Sequence, residues 1–185
     1  MSARDVALTH VVTAQQWISR TVGALVNLDS ARTTMTQPSQ QRWANSPALA
    51  AVRRHFLLGD AAASNMGAIR AAVARIVPLY RRINGVLGWA QDVFRDGAGE
   101  GDEGAYTPSP RDGHIYFTPR YIDGCGPLTK VYVIVHEGAH FLGANFQDHL
   151  RDPPQTLDDA LTDAYSFSDC VFEIVNGVRS RSDAD

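Results

Sequence analysis

The stretch Val131–Gly143, VYVIVHEGAHFLG, is the most informative segment of the chain. It holds His136, Glu137 and His140 in the pattern H-E-x-x-H, directly after a run of apolar residues. A chance match to this pattern in a chain with six histidines is expected only about 0.004 times. The apolar residues before the motif predict a buried helix over about residues 128–142.

The spacing of the two histidines suits a shared metal ion. Residues four apart lie one above the other on a helix face, so that both imidazoles can bind one ion. Zinc accepts imidazole nitrogen at about 2.0–2.1 Å, and a catalytic zinc site has three protein ligands and a position open to water. Glu137 is rotated by roughly 100° from His136 about the helix axis. We therefore expect His136 and His140 to bind Zn²⁺, and Glu137 to activate a water on it.

The third metal ligand has to come from outside this helix, and spacing alone leaves its identity open. The extended pattern H-E-x-x-H-x-x-G-x-x-H is absent, since Phe146 stands where its third histidine would be. Asp148 could fold back over a short loop, whereas Asp159 or Asp163 would come from a second helix packed against the first. The downstream candidates are Asp148, His149, Asp152, Asp158, Asp159, Asp163 and Glu173.

Composition and charge limit the classes of function. The chain has 185 residues, of which 44% are hydrophobic and 20% charged, values typical of a globular protein with a sizeable core. Seventeen basic and twenty acidic side chains give a net charge of −3, which argues against a nucleic-acid partner. No apolar run approaches the roughly 20 residues of a membrane span. The two cysteines, Cys125 and Cys170, allow one disulfide or two thiols.

The remaining pattern predicts an α+β fold that is mostly helical. Apolar spacing predicts helices over residues 6–28, 47–58, 61–87 and 158–175, with a bend or interruption at Pro78. Residues 105–107 and 114–121 are predicted as strands of a small antiparallel sheet or hairpin. We expect one domain over residues 1–185, in which a helical N-terminal lobe (1–90) precedes the strands, the H-E-x-x-H helix and a C-terminal helix (91–185).

The order of strand, Gly-Pro break, apolar H-E-x-x-H helix and Asp-containing segments resembles the deuterolysin-type aspzincin metallopeptidases, which include peptidyl-lysine metalloendopeptidases. The resemblance implies a zincin-like fold and an Asp as third zinc ligand, in a G-T-x-x-D-x-x-Y-G segment soon after the helix. Residues 147–152 fall on that segment, which implies Asp148 as the ligand. Residues 162–167 fall on the family's later N-A-D-x-Y-x-x-F pattern.

The sequence departs from this family where the oxyanion would be held. No Gly-Thr precedes Asp148, and Arg151 stands where the family has a tyrosine that is thought to hydrogen-bond the oxyanion. Arg151 could donate to the same oxygen, or Tyr165 could reach it from the last helix. The strand over residues 114–119 is similar to the family's edge strand above the cleft, which implies that a peptide lies near Tyr116.

A second ligand set exists within the same chemistry. In gluzincins a Glu on a later helix is the third ligand, and an Asp four residues on orients a histidine. Asp159 and Asp163 have that spacing, with Asp in place of the ligating Glu. Acids in the first turn of a helix also favour its dipole, which is a simpler role for Asp159.

These residues favour a zinc-dependent endopeptidase that acts on a protein or peptide substrate, with Glu137 as the base. One alternative is a catalytically degenerate zinc-binding or interaction module, which the missing tyrosine favours and the intact Glu137 disfavours. The other is a protease-type toxin or effector domain. The N-terminus lacks the basic-then-apolar order of a secretory signal. We nevertheless expect a secreted protein or a delivered effector rather than a cytoplasmic one.

Overall fold

A computed structural model describes residues 1–29, 44–59, 65–98, 103–109, 112–143, 145–148 and 153–178. The helices are α1 (Ala3–Asp29), α2 (Pro47–His55), α3 (Met66–Gly88), α4 (Ala90–Val93), α5 (Pro119–Asp123), α6 (Pro127–His140), α7 (Leu157–Ala160) and α8 (Ala164–Asn176). The strands are β1 (Phe94–Asp96), β2 (Ala105–Tyr106) and β3 (Ile115–Phe117). The protein is mostly helical with a small three-stranded mixed sheet, in agreement with the predicted α+β class.

Helix α6, which carries the H-E-x-x-H residues, lies in the middle of the helical packing. It contacts α1, α3 and α8, and α1 in turn packs against α3 and α8. Its apolar residues Val131, Ile134 and Val135 are buried, as the run before the motif predicted. One hydrophobic cluster joins residues of α1, α2 and α3 to residues of α6 and α8. The predicted N-terminal lobe therefore shares its core with the C-terminal part of the chain.

Helix α3 begins with a strong local signal and passes through Pro78. The Asn65 side chain accepts hydrogen bonds from the first amides of the helix, those of Gly67 and Ala68. The expected interruption at Pro78 does not occur, and α3 is one helix. A proline removes one amide donor, but Ile76 and Tyr80 on either side are fully buried, and their packing keeps the helix continuous.

The last predicted helix is in fact two helices, α7 and α8. The backbone of Asp163 is extended (φ −102°, ψ 119°), and its carboxylate accepts a hydrogen bond from the Ser166 amide to cap α8. Gln147 forms a parallel bridge with Asp163: the Gln147 amide donates to Thr162 and the Ala164 amide donates to Gln147. Pairing with a distant segment therefore interrupts a helix that apolar spacing predicts as continuous.

The sheet has the strand order β1-β3-β2, in which β3 is parallel to β1 and antiparallel to β2. The predicted antiparallel pairing is confirmed for β2 and β3. The prediction did not include β1, which pairs with β3 in parallel. The predicted strand over residues 114–121 is shorter, because Pro119 begins α5. The expectation that this segment forms an edge strand is wrong, since β3 is the middle strand. The edge strand on that side is β2.

The two cysteines are not joined by a disulfide. Cys170 lies in the core, and its burial raises the pKa of its thiol to about 12, so that the thiol stays protonated and unreactive at neutral pH. Within the described ranges, the helices are all too short or too polar to cross a membrane.

Gly138, inside the H-E-x-x-H motif, lies in close contact with α3. A Cβ atom at this position would lie 2.9 Å from Cγ2 of Ile83 and 3.8 Å from Cδ2 of Leu87. Ile83 is fully buried, so its branched side chain has little room to move away. The glycine therefore lets helix α6 pack directly on α3.

We predict that Gly138→Ala lowers the free energy of unfolding by about 1–2 kcal/mol in urea denaturation. Overpacking costs about 1–3 kcal/mol, whereas the gain in helix propensity is at most about 1 kcal/mol. Gly85→Ala is the matched control, because Gly85 is exposed on α3 and nothing lies within 4 Å of an added Cβ. The control should be neutral or stabilised by up to about 1 kcal/mol. Equal effects of the two substitutions would contradict this account of the packing.

Candidate metal centre

Three side chains converge at the C-terminal end of α6. The Nε2 atoms of His136 and His140 are 3.1 Å apart. Oδ1 of Asp148 lies 3.2 Å from His136 Nε2 and 3.1 Å from His140 Nε2. The three atoms form a nearly equilateral triangle, and together these residues could hold a metal ion. We call this group the His-His-Asp triangle.

The size and chemistry of the His-His-Asp triangle fit a metal ion such as zinc. Ligand atoms about 2.0–2.1 Å from a tetrahedral ion are about 3.3–3.4 Å from one another. The distances in the triangle, 3.1–3.2 Å, are close to this value. Two imidazole nitrogens and one carboxylate oxygen suit Zn²⁺ and also other divalent transition metals. The side chain of Asp148 is 37% exposed, so one side of the triangle faces solvent.

Hydrogen bonds at the other ring nitrogens orient both imidazoles. Nδ1 of His140 lies 3.0 Å from the carbonyl oxygen of Phe146 and donates to it. Nδ1 of His136 lies 3.4 Å from the hydroxyl of Ser168 on α8. The ring of Tyr165 packs against His136 with 4.5 Å between ring centroids. These contacts direct both Nε2 atoms toward Asp148, as partners outside the ligand shell do in metal sites.

The charges of the triangle are coupled. Burial by itself would lower the pKa of His140, but Asp148, Glu137 and the Phe146 carbonyl outweigh burial and raise it to about 9. Burial would raise the pKa of Asp148, yet hydrogen bonds from both histidines hold it well below its usual range. The Asp148 carboxylate is therefore ionised at neutral pH, and its negative charge favours a cation at the triangle.

Asp148 reaches the histidines because the segment before it is fixed. The Gln147 amide donates to the Thr162 carbonyl at 2.9 Å, and the Gln147 carbonyl accepts from the Ala164 amide at 3.1 Å. These two bonds attach the chain to the start of α8 one residue before Asp148. Backbone pairing thus positions the third member of the triangle.

The other two predicted ligands lie outside the triangle and cap helices. The Asp163 carboxylate accepts from the amide and the hydroxyl of Ser166, at 2.8 and 2.7 Å. The Asp159 carboxylate accepts from the amide and the hydroxyl of Thr156, at 3.0 and 2.8 Å, in a capping box. The structure therefore brings Asp148 to the histidines, and neither member of the gluzincin-like pair.

The remaining downstream candidates are also placed elsewhere or fall outside the described ranges. Asp158 contacts Arg75 of α3. Glu173 is buried and pairs with Arg54 and His55 at the end of α2. His149, Asp152 and the predicted oxyanion donor Arg151 lie outside the described residues.

Glu137 lies beside the triangle, and its side chain is almost completely buried. The residue is 5% exposed, and burial raises the pKa of its carboxyl, although His136, His140 and Thr107 oppose the shift. The Thr107 hydroxyl donates to Oε2 of Glu137 at 2.8 Å. Sequence reasoning missed Thr107, because it lies 30 residues before Glu137 and only the fold brings the two together.

The triangle and Glu137 open into a cleft of about 440 Å³. Residues 103–107, which include β2, line it together with α6, Asp148 and Tyr165. The predicted substrate residue Tyr116 lies on the middle strand, where its ring stacks on Tyr106 with 5.3 Å between centroids. Of this pair, Tyr106 lines the cleft. The strand that borders the site is therefore β2 rather than the segment around Tyr116.

Comparisons of the chain with models of protein families, with curated proteins and with solved structures find no match. The resemblance to aspzincins therefore stays a prediction from the residues.

If the triangle binds zinc, we predict that Asp148→Ala weakens this binding at least about 100-fold, because the substitution would remove one of the three side chains that could hold the ion. Competition with a chelating dye measures this affinity. Asp159→Ala is the matched control: it removes part of a capping box and lowers the free energy of unfolding by about 0.5–1 kcal/mol, with unchanged zinc affinity. Unchanged zinc affinity in Asp148→Ala would show that Asp148 is not a ligand.

Proposed function

We propose that the protein is a zinc-dependent endopeptidase. The observation that carries this proposal is the buried Glu137 carboxyl group, which lines the same cleft as the His-His-Asp triangle. Burying an acid that is not itself a ligand is unfavourable for folding. A site that only stores a metal has no use for such a group, whereas hydrolysis needs a base next to the ion.

In this proposal His136, His140 and Asp148 hold the ion. Bound there, zinc would polarise the scissile carbonyl and lower the pKa of a water molecule toward neutrality. Glu137 would take a proton from that water and later give it to the leaving amine. The raised pKa of its carboxyl suits both steps, because a base that must also act as an acid works best with a pKa near the operating pH.

The edge strand β2 is the proposed binding surface for the peptide. It pairs with β3 on one side, and the cleft lies along residues 103–107. An extended peptide could pair with the other side of β2 through its backbone groups. Such pairing favours an endopeptidase that binds several residues of its substrate. The proposed path therefore runs past Tyr106 instead of Tyr116.

Tyr165 is our proposed donor to the oxyanion. Its ring lies 4.5 Å from that of His136 between centroids, and the residue lines the same cleft as the triangle. Hydrogen-bond donors aimed at developing negative charge contribute substantially to acyl transfer. The family's tyrosine, absent at position 151, would be replaced in this way by a tyrosine from α8.

Membership of the deuterolysin-type aspzincins is part of the proposal. Two features support it. The third member of the triangle is an Asp, where other families have a His or a Glu, and this residue, Asp148, follows soon after helix α6. The non-catalytic zinc-binding module remains the second candidate. It would retain the triangle, but it gives no reason for the hydrogen bond between Thr107 and Glu137.

We predict that Glu137→Gln keeps one zinc per chain and loses hydrolysis of casein by at least about 100-fold, since general-base catalysis contributes roughly 10²–10⁴-fold. Elemental analysis and casein cleavage on both proteins test this. Removing zinc with a chelator should abolish wild-type cleavage, and adding zinc should restore it. Zinc in both proteins with cleavage by neither would favour the non-catalytic module. A wild type that binds no zinc would contradict both functions.

A further inference from the structure

Thr107 makes the one side-chain hydrogen bond to the Glu137 carboxylate that the described residues show. Its Oγ1 lies 2.8 Å from Oε2 of Glu137 and 3.4 Å from the Glu137 carbonyl oxygen. Thr107 directly follows β2, so the bond connects the edge strand of the sheet to the metal-binding helix α6. A hydroxyl that donates to an ionised carboxylate forms one of the stronger hydrogen bonds in proteins.

This bond leaves the two oxygens of the carboxylate in different surroundings. Oε2 accepts from Thr107, whereas Oε1 is not engaged by this bond and would, in the proposed function, accept the proton of the water. A glutamate side chain has three rotatable bonds, and its carboxylate turns freely unless one oxygen is held. Threonine is suited to hold it, because branching at Cβ restricts its own χ1 angle. The contact therefore fixes the plane of the carboxylate.

We propose that Thr107 is a positioning residue that holds the Glu137 carboxylate in the orientation needed for proton transfer. The inference rests on the proposed function, and it adds a role for the edge strand. A peptide that pairs with β2 would fix the backbone immediately before Thr107, so that substrate binding and orientation of the base are linked. Small errors in the position of a catalytic group reduce rates strongly, which is why such a contact matters.

The test compares Thr107→Val, which removes the hydroxyl at nearly constant shape, with Thr107→Ser, which retains it. Thr21→Val is the matched control, because Thr21 on α1 is fully buried and its hydroxyl has no hydrogen-bond partner in the structure described. The first readout is the carboxyl ¹³C resonance of Glu137, identified by its loss in Glu137→Gln. We expect Thr107→Val to move this resonance, Thr107→Ser to restore it and Thr21→Val to leave it unchanged.

The second readout is the kinetics of zinc-loaded protein on a peptide that the wild type cleaves. We expect Thr107→Val to lower kcat by about 10- to 100-fold, the range for losing a hydrogen bond to a charged group. KM should change less than about threefold, zinc content should stay at the wild-type value, and Thr107→Ser should recover most of kcat.

The other outcomes would contradict the proposal at different steps. If Thr107→Val leaves the Glu137 carboxyl resonance unmoved, the contact between Thr107 and Glu137 is contradicted. If the resonance moves but kcat is unchanged, the positioning role is contradicted. A fall in activity that Thr107→Ser does not rescue also overturns it, because that result indicates a structural defect. A wild type that binds zinc but cleaves no peptide overturns the proposed function instead. The resonance needs no turnover, and in that case it alone decides for or against the contact.

Discussion

The arrangement of the site depends on the contact between the ionised carboxylate of Asp148 and two imidazoles. Oδ1 of Asp148 lies within 3.2 Å of the Nε2 atoms of both His136 and His140. Positive charge on buried histidines is unfavourable unless it is paired, and the carboxylate of Asp148 supplies the opposite charge. The opposite charges of the histidines and Asp148 then offset each other. The two Nε2 atoms and Oδ1 of Asp148 could also bind a cation in their place. The backbone bonds of Gln147 to the start of α8 are the means by which the fold places that carboxylate.

The surrounding structure follows from this requirement. Helix α6 has to be buried to exclude water from most of the site, and Gly138 allows it to pack closely on α3. Helix α8 has to begin after the segment that pairs with Gln147, and the Asp163 cap begins it there. Asp163, which the sequence offered as a ligand, thus has a structural role. It caps α8 and pairs with Gln147, the residue before Asp148. Its carboxylate accepts two hydrogen bonds from Ser166 and is not part of the triangle.

The features that the sequence predicts correctly are local ones. The spacing of His136 and His140 places them on one helix face whatever the rest of the fold does, and α6 confirms that helix. Features that depend on distant segments were missed: the break before α8, strand β1, and the edge position of β2. Thr107 belongs to this group, since no spacing rule connects it with a glutamate 30 residues away. Asp148 is intermediate between these local and long-range features. Its position eight residues after His140 allows it to reach the histidines, but the same sequence also allowed Asp159 or Asp163 to do so.

X-ray absorption at the zinc edge of the zinc-loaded protein tests the central claim, that the His-His-Asp triangle is a metal centre. We expect four-coordinate zinc with nitrogen and oxygen neighbours at about 2.0–2.1 Å and the outer-shell scattering of two imidazoles. Substituting His140 should reduce that imidazole signal by half or abolish binding. Zinc that is surrounded only by water oxygens, or that binds with sulfur neighbours from the cysteines, would contradict the account.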